Sequence, residues 1–286
     1  MKNLGYYNGQ IGLLEEMMIP MNDRVCWFGD GVYDAGPSRN YTIFAMDEHI
    51  DRFFRSAEAV GIIIPMGKQE LKNLLNELVK KLDTPDNFVY YQVTRGTGIR
   101  NHEWPKEPGN LWVLIKPADA GRAADPVKLI TYPDKRFYYC NVKTLNLIPS
   151  VLSANAAIDA GAVEAIFYRD ENEVTECSHS NISILKDGVL YTHPEGDKIL
   201  SGIARRHLID ACNVLGIPVK EEVFGIKFMM DADELIKTSS SKLCVRVDGV
   251  DGKAVGMKDE KTYNLINEYL LDEYYTATGG YISDIQ

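Results

Sequence analysis

A non-periodic segment near the middle of the chain places the strongest constraint on its fold. Between Pro117 and Pro126, the apolar side chains follow neither a helical nor a strand period. A segment of this kind, bracketed by prolines, is typical of an exposed connection between domains. The chain has 286 residues, which is enough for two domains of ordinary size. We therefore predict a small N-terminal domain over 1–118, an interdomain linker over 119–127 and a large C-terminal domain over 128–286.

The first half contains signals for both strands and helices. Asn8-Gly9 lies between apolar residues and predicts a hairpin at the start of an antiparallel sheet. Helical spacing of apolar side chains from Met46 to Val60, and again from Leu71 to Leu82, predicts two amphipathic helices. The residues from Phe88 to Thr94 and from Leu111 to Ile115 are aromatic or branched and predict core strands.

The second half mixes strands and helices in irregular order. Helices are expected near 150–160, 203–215 and 259–275, and a hairpin is expected at Lys186-Asp187-Gly188. There is no regular β-α-β alternation, so the predicted class is α+β. No Gly-x-Gly-x-x-Gly motif follows a predicted strand, which weighs against a dinucleotide-binding fold.

Composition excludes several classes of function. The 31 basic and 41 acidic residues give a formal charge of -10, and the basic residues are interspersed with acids, which argues against nucleic-acid binding. The five cysteines are widely spaced without a Cys-x-x-Cys pair, so neither a disulfide framework nor a metal site is expected. The chain starts without a secretory apolar segment and has no long apolar run, so we expect a cytoplasmic protein that does not bind membranes.

Lys143 is the first candidate for chemistry. It lies in a stretch from Phe137 to Pro149 that is otherwise built from apolar and small uncharged side chains, where a lysine is hard to keep solvated. A lysine that is buried in this way loses its charge more easily and becomes a nucleophilic amine able to form a Schiff base. Taken alone, the alternative is that the side chain extends its amine to water.

Several further segments occur in a characteristic order along the chain. They are Phe28-Gly29-Asp30-Gly31-Val32-Tyr33, Glu48-His49-Ile50-Asp51-Arg52, Val93 to His102, Lys143-Thr144-Leu145-Asn146, Thr175-Glu176 through Asn181, Leu190-Tyr191-Thr192 and Leu200-Ser201-Gly202-Ile203. In these segments the chain resembles the fold-type IV pyridoxal-phosphate aminotransferases, from about Tyr6 to about Gly256, and especially those acting on D-amino acids. The resemblance implies a small α/β sandwich-like N-terminal domain and a larger C-terminal domain resembling a mixed β-barrel with helices.

The resemblance also implies the residues that bind the cofactor, pyridoxal 5'-phosphate. Lys143 would form the Schiff base and move a proton between the substrate Cα and the cofactor C4′, while Glu176 would accept the pyridinium N-H. The turn that opens a helix at Gly202 offers unpaired backbone N-H groups for the phosphate. The other implied contacts are Arg52, Leu200, Ile203, Ala204, Ser239 and Ser240. Taken individually, Glu176 is more readily an exposed strand-end glutamate, Arg52 an ordinary helix-face arginine, and the two serines part of a polar loop.

Arg100 and His102 are the candidates for substrate recognition. Alternate residues of an extended segment point the same way, so both could bind one carboxylate, with Tyr33 as a further donor. The resemblance implies that this pair traps the substrate α-carboxylate of a D-amino acid. The expected activity is ping-pong transfer of an amino group from a D-amino acid such as D-alanine to a 2-oxo acid such as 2-oxoglutarate, by a homodimer.

Three alternatives remain open at the level of sequence. Aminodeoxychorismate lyase and branched-chain aminotransferase use the same fold and cofactor, and a binding protein could have kept the fold without turnover. Arg100 with His102 disfavours the lyase, and Lys143 with Glu176 disfavours the binding protein. The chain also departs from the family pattern at Cys177 and His179, where small residues are usual, and at Ser183, where an aromatic residue is usual. His179 could narrow the pocket, donate to a substrate side chain or point outward.

Overall fold

The computed structural model describes residues 1–119 and 124–280, which form two compact units. Within these residues, the first unit contains 1–119, Val142–Asn146 and 275–280, and the second contains 124–141 and 147–274. The predicted linker at 119–127 includes residues 120–123, which lie outside the described part of the chain. The second unit differs from the predicted domain 128–286, because Val142–Asn146 and the residues from Tyr275 onward belong to the first unit.

The first unit is built on a six-stranded antiparallel sheet. Its strands are β1 (Leu4–Tyr7), β2 (Gln10–Gly12), β3 (Gly31–Arg39), β4 (Thr42–Ile43), β5 (Asn87–Thr94) and β6 (Asn110–Pro117). They are ordered β2-β1-β6-β5-β3-β4 across the sheet. The predicted hairpin at Asn8-Gly9 is confirmed as the connection between β1 and β2, and the predicted core strands are confirmed as β5 and β6.

Two long helices of the first unit, α2 (Met46–Ala59) and α3 (Lys68–Val79), supply much of its hydrophobic core. The unit also contains the short helix α1 (Val25–Phe28) and a 3-10 turn at Leu14–Glu16. The predicted apolar faces of α2 and α3 are confirmed, because Ile50, Phe53, Leu71, Leu75 and Leu78 are completely buried. Each such side chain stabilises the fold by roughly 1.5–3 kcal/mol.

The segment Val142–Asn146 belongs to the first unit because its backbone is bonded along β3. The Tyr33 N-H donates to the Lys143 carbonyl at 2.9 Å, and the Leu145 N-H donates to the Gly31 carbonyl at 3.0 Å. Val32 and Thr144 form an antiparallel bridge between these bonds. Lys143 is therefore carried on a short extended segment beside a central strand, which fixes the position of its backbone.

The second unit is built on a mixed sheet that curls until its edge strand approaches an interior strand. Its strands are β7 (Val127–Pro133), β8 (Glu164–Asp170), β9 (Glu173–Cys177), β10 (Asn181–Lys186), β11 (Val189–Thr192), β12 (Val219–Glu221), β13 (Glu234–Ser239), β14 (Leu243–Val250) and β15 (Lys253–Ala254). The order is β12-β11-β10-β13-β14-β7-β8-β9, and β15 pairs with β14. Contacts between β9 and β10 produce a partly closed, barrel-like sheet, as predicted.

Four helices begin in the second unit: α4 (Ile148–Asp159), α5 (Ile203–Val214), α6 (Ile226–Met230) and α7 (Glu260–Ala277). The sequence predicts α4, α5 and α7 at these positions, whereas the short α6 is not predicted. The predicted hairpin at Asp187-Gly188 is confirmed between β10 and β11. The α+β class is therefore confirmed. Among residues 1–119 and 124–280, no helix is long and apolar enough to cross a membrane.

Candidate functional site

The Lys143 side chain is half-buried and lies against an aromatic ring of β3. Its amine nitrogen is 4.4 Å from the centroid of the Tyr33 ring, and the Ser56 hydroxyl accepts the Lys143 backbone N-H at 3.2 Å. Tyr33 in turn stacks on Tyr90, with ring centroids 5.3 Å apart. The amine is thus held beside a ring face, where it interacts with the π-electrons.

The apolar composition from Phe137 to Pro149 predicts surroundings in which Lys143 is hard to keep solvated, but part of this stretch is itself exposed. Phe137, Tyr138 and Tyr139 are 53%, 57% and 62% exposed. Residues 137–139 belong to the second unit and Lys143 to the first, so the apolar composition of the stretch does not describe one environment. The surroundings of the lysine come instead from β3 and from Ser56 on α2.

Arg52 lies in a buried charge cluster on the first unit. Its guanidinium binds Asp34 through two hydrogen bonds of 2.8 Å, and His49 Nδ1 lies 2.7 Å from the same carboxylate. Burial favours a raised pKa for Asp34, but the charge of Arg52 and the hydrogen bond of His49 outweigh it and hold that pKa below the ordinary 3.8. Burial lowers the pKa of His49, so its neutral ring donates Nδ1-H to Asp34.

We expect the Asp34→Asn variant to lower the free energy of unfolding by about 3 kcal/mol, because it leaves the buried Arg52 without its counter-charge. Since the folded pKa of Asp34 lies below 3.8, this contribution is complete above that pH and is lost only as the pH falls toward the folded value. Urea unfolding should therefore show the same difference between wild type and variant at pH 7 and pH 5.

Asp51→Asn is the matched control for this measurement. Asp51 lies next to Arg52 on α2 and pairs with Lys68 at 2.7 Å, but its side chain is 49% exposed. An exposed pair of this kind contributes about 0–1 kcal/mol. Equal effects of the two substitutions would contradict the account of the buried cluster.

Glu176 lies near the end of β9, and three hydrogen-bond donors from separate segments of the chain bind its carboxylate. Arg136 Nη1 donates to Oε1, while Asn181 Nδ2 and the Leu200 backbone N-H donate to Oε2 at 3.0 and 3.1 Å. The residue is only 5% exposed. Three donors, one of them charged, favour the ionised carboxylate in this buried position.

Arg136 is itself held in place by a second carboxylate. Asp134 accepts hydrogen bonds from Arg136 Nε at 3.0 Å and from Nη2 at 2.8 Å. Burial alone would lower the pKa of Arg136, but the charges of Glu176 and Asp134 raise it above its ordinary value. Glu176, Arg136 and Asp134 therefore form an alternating row of charges in which each charge faces one of opposite sign.

The N-terminus of α5 provides a second feature of the same unit. Gly202 precedes the helix in an extended conformation, and no side chain caps the first turn. Ile203 and Ala204 are buried in this turn, and Leu200 lies just before it. Unpaired backbone N-H groups and the positive end of the helix dipole favour an anion here. The half-buried Ser239 and Ser240 follow from the end of β13.

We expect Gly202→Ala to destabilise the protein by roughly 2 kcal/mol, because a Cβ at this position would come within 2.0 Å of Asn181 Oδ1. Asn181 Nδ2 donates to Glu176, so displacing Asn181 should also weaken this hydrogen bond. Gly67→Ala is the matched control, since Gly67 also precedes a 12-residue helix but has nothing within 4 Å. The control should cost less than about 1 kcal/mol in thermal or urea unfolding. Equal losses would exclude the steric explanation.

Arg100 and His102 are exposed and contact one aromatic ring. The Arg100 guanidinium carbon lies 5.3 Å from the Phe28 centroid, and the His102 ring centroid lies 5.5 Å from it. The segment itself is bent, so the prediction that it is extended is wrong. Asn101 causes the bend, because its N-H donates to the Ile99 carbonyl at 2.7 Å and its Oδ1 accepts the His102 N-H at 2.9 Å. Tyr33 lies with Lys143 and Tyr90 instead.

The residues that depart from the family pattern lie in different environments. Cys177 is buried, and burial raises the pKa of its thiol well above the ordinary 9.0. The His179 side chain is 62% exposed, while its backbone N-H donates to buried Glu164 at 2.7 Å. Ser183 is fully buried in β10 between Thr192 and Ile236.

Sequence reasoning did not identify Arg136 and Asn181 as partners of Glu176, or Asp34 and His49 as partners of Arg52. A signal for Arg136 exists, because Asp134 and Arg136 are two residues apart after a strand and therefore point the same way. No comparable local signal connects Arg136 to Glu176, which is forty positions further along the chain.

Comparisons with known proteins agree with this architecture. The family model described as amino-transferase class IV matches residues 31–250. A D-alanine aminotransferase of Listeria monocytogenes serotype 1/2a (strain 10403S) is 38% identical over 273 residues, covering 93% of this chain and 94% of that protein.

Solved structures show the same fold at lower identity. A branched-chain aminotransferase from Thermoproteus uzoniensis with norvaline has a TM-score of 0.87 at 22% identity, covering 96% of each chain. A branched-chain amino acid aminotransferase from Escherichia coli has a TM-score of 0.86 at 19% identity, covering 98% of each chain. The family model spans most of the sequence, and the chain belongs to the class IV aminotransferases.

Proposed function

We propose that this chain transfers the amino group of a D-amino acid, such as D-alanine, to a 2-oxo acid, such as 2-oxoglutarate. The observation that carries this proposal is the placement of Arg100 and His102 against one ring in an exposed loop, where both can donate to one carboxylate. Both the donor and the acceptor of a transamination carry such a carboxylate. The 38% identity to the Listeria D-alanine aminotransferase supports the choice of D-amino acids.

We propose pyridoxal 5'-phosphate as the cofactor, and the residues of each unit fit parts of this molecule. When bound, it supplies an aldehyde that reacts with amines and a ring that accepts the electron pair left at the substrate Cα. Glu176 would bind the protonated ring nitrogen, because its carboxylate is buried and kept anionic by Arg136, Asn181 and the Leu200 N-H. Leu200 would also contact the ring.

The phosphate would bind where the chain offers positive charge and donors. On the second unit these are the N-H groups of Ile203 and Ala204, with the hydroxyls of Ser239 and Ser240. On the first unit we assign Arg52, whose orientation is fixed by Asp34. A guanidinium that is already oriented loses little freedom when it binds an anion.

Lys143 would hold the cofactor and transfer a proton. Its amine lies at the Tyr33 ring and is attached to a backbone segment that is bonded to β3. From such a fixed backbone the side chain would hold the cofactor at its aldehyde, and its amine would move a proton between the substrate Cα and the cofactor C4′. Tyr33 would then add a hydroxyl donor near the substrate carboxylate.

We further propose that the enzyme is a cytoplasmic homodimer. Exposed apolar side chains on α4 support an interface between copies, since Ile148, Val151, Leu152 and Ile158 are 70%, 51%, 57% and 66% exposed. Sedimentation velocity should give one species of twice the chain mass. A purely monomeric species at micromolar concentration would contradict the dimer.

The substrate assignment is tested by incubating the purified enzyme, with cofactor, with single D- and L-amino acids and 2-oxoglutarate. We expect oxo acids from D-alanine and related D-amino acids, and glutamate as the second product. Activity on L-leucine without activity on D-alanine would support branched-chain transamination instead. Release of pyruvate from aminodeoxychorismate would support the lyase.

A further inference from the structure

The segment from Arg24 to Asp30 contains a buried arginine whose role is not explained by cofactor binding. Arg24 is only 3% exposed and lies directly before α1, which ends at Phe28. We propose that Arg24 is a positioning residue for substrate recognition, which orders the loop carrying Arg100 and His102 against the Phe28 ring. This inference rests on the proposed function, because it assigns Arg100 and His102 to the substrate carboxylate.

Arg24 binds the backbone on both sides of His102. Its Nη1 donates to the Asn101 carbonyl at 2.7 Å and to the Glu103 carbonyl at 3.2 Å. A loop that is exposed and outside any strand has few other bonds to restrict its backbone. By binding the Asn101 and Glu103 carbonyls, the buried Arg24 guanidinium therefore fixes the backbone position of His102 between them.

Asp30 is the acidic residue that fixes the orientation of the Arg24 side chain. Its Nε donates to Asp30 Oδ2 at 2.8 Å, and Arg95 Nε binds the same carboxylate at 2.9 and 3.0 Å. Arg95 also donates to the carbonyls of Val60 and Gly61, which attaches the group to the end of α2. The Arg24 backbone N-H donates to the Gly96 carbonyl at 2.9 Å, so both ends of this arginine are bonded.

Phe28 completes the arrangement by providing a common surface. The guanidinium carbons of Arg24 and Arg100 lie 4.8 and 5.3 Å from its ring centroid, and the His102 ring lies 5.5 Å from it at 41°. Gly29 ends α1 in a left-handed conformation, with φ 59°, which turns the chain toward Asp30. The ring face attracts both cations and limits their rotation.

The consequence concerns the cost of binding a carboxylate. Free surface side chains such as Arg100 and His102 lose rotational freedom when they bind a ligand, and this loss weakens binding. Here the buried Arg24 and the Phe28 ring have already ordered them. Lysine cannot replace Arg24, because one ammonium group cannot bind Asp30 and two carbonyls in a planar fork.

We would compare Arg24→Lys and Phe28→Leu with wild type in the cofactor-loaded enzyme. Arg24→Lys keeps the charge and removes the fork, whereas Phe28→Leu removes the ring and leaves the Arg24 hydrogen bonds. Arg55→Lys is the matched control, since Arg55 is an exposed arginine on α2 of the same unit. Thermal unfolding and the affinity for pyridoxal 5'-phosphate would be measured first. Arg24→Lys should lower the unfolding temperature, because it loses buried hydrogen bonds, whereas cofactor affinity should not change in either variant.

Both variants should raise KM for D-alanine and for 2-oxoglutarate roughly tenfold. The kcat should be nearly unchanged, because the carboxylate is bound equally in the ground state and in the transition state, and both are weakened to the same extent. Backbone amides of residues 101–104 should exchange their hydrogens about tenfold faster in Arg24→Lys, independently of any turnover. Arg55→Lys should show neither effect. Unchanged KM and unchanged exchange in Arg24→Lys would overturn the inference, as would a fall in kcat alone.

The two proposals fail in different ways. If wild type does not transaminate D-amino acids, the proposed function is wrong, and the exchange measurement still reports whether Arg24 orders the loop. If wild type is active and the loop exchanges faster without a change in KM, the function holds and the link from Arg24 to recognition fails. Should Arg24→Lys fold poorly, a normal KM in well-folded Phe28→Leu would overturn the inference.

Discussion

Replacing Lys143 with alanine is expected to lower the rate of D-alanine transamination by about 10⁴-fold or more. The variant loses both the amine that bonds the cofactor and the base that moves the Cα proton, and each role contributes several orders of magnitude. Folding should be retained, because Lys143 is half-buried and its backbone bonds to Tyr33 and Ser56 do not involve the side-chain amine. Initial rates with 2-oxoglutarate as acceptor give the measurement.

Two controls make this result specific to Lys143. Lys80→Ala removes an exposed lysine after the end of α3 and should leave the rate unchanged. Added ethylamine should restore part of the lost activity in Lys143→Ala, because a free amine can accept the Cα proton. A Lys143→Ala enzyme with more than a tenth of wild-type activity would contradict the assignment.

The second large effect is expected for Glu176→Gln, which should lower kcat on the order of 10²- to 10³-fold. The carboxylate now accepts from Arg136, Asn181 and the Leu200 N-H. An amide has only one accepting oxygen, so its NH₂ must face either the Arg136 guanidinium or the other two donors. The ring nitrogen of the cofactor would also lose its anionic partner, and the ring would accept electrons less readily.

Glu173→Gln is the matched control for Glu176→Gln. Glu173 is on the same strand and is also ion-paired, with Lys198 at 2.7 Å, but it does not bind Arg136. Its replacement should change kcat by less than about threefold, as expected for a partly exposed pair. If both variants lost activity equally, the effect would come from general weakening of β9 and the proposed role of Glu176 would be wrong.

The fold was largely predictable because most elements have a clear period. The apolar faces of α2, α3 and α5 repeat at helical spacing, and Asn8-Gly9 determines its hairpin locally. The assignment of Val142–Asn146 to the first unit was not predictable. It depends on hydrogen bonds to β3 across more than a hundred positions, and no local pattern reports such a partner.

The candidate site divides in the same way. Lys143, Glu176, Arg100 and His102 lie in recognisable segments, whereas their partners do not. Arg136 and Asn181 bind Glu176 only because the curled sheet and the turn before α5 bring them there. Arg24 was part of no functional prediction, although it binds the carbonyls on both sides of His102. Apolar periodicity locates elements, but it does not report which polar side chains meet after folding.

The central claim is a covalent bond between the Lys143 side-chain nitrogen and the aldehyde carbon of pyridoxal 5'-phosphate in an enzyme acting on D-amino acids. The most direct measurement is borohydride reduction of the cofactor-loaded protein, with and without prior D-alanine, followed by peptide mass spectrometry. The account predicts a reduced pyridoxyl-phosphate group on Lys143 that largely disappears after D-alanine but persists after L-alanine. Labelling of another residue, no labelling, or the opposite response to the two alanines would contradict it.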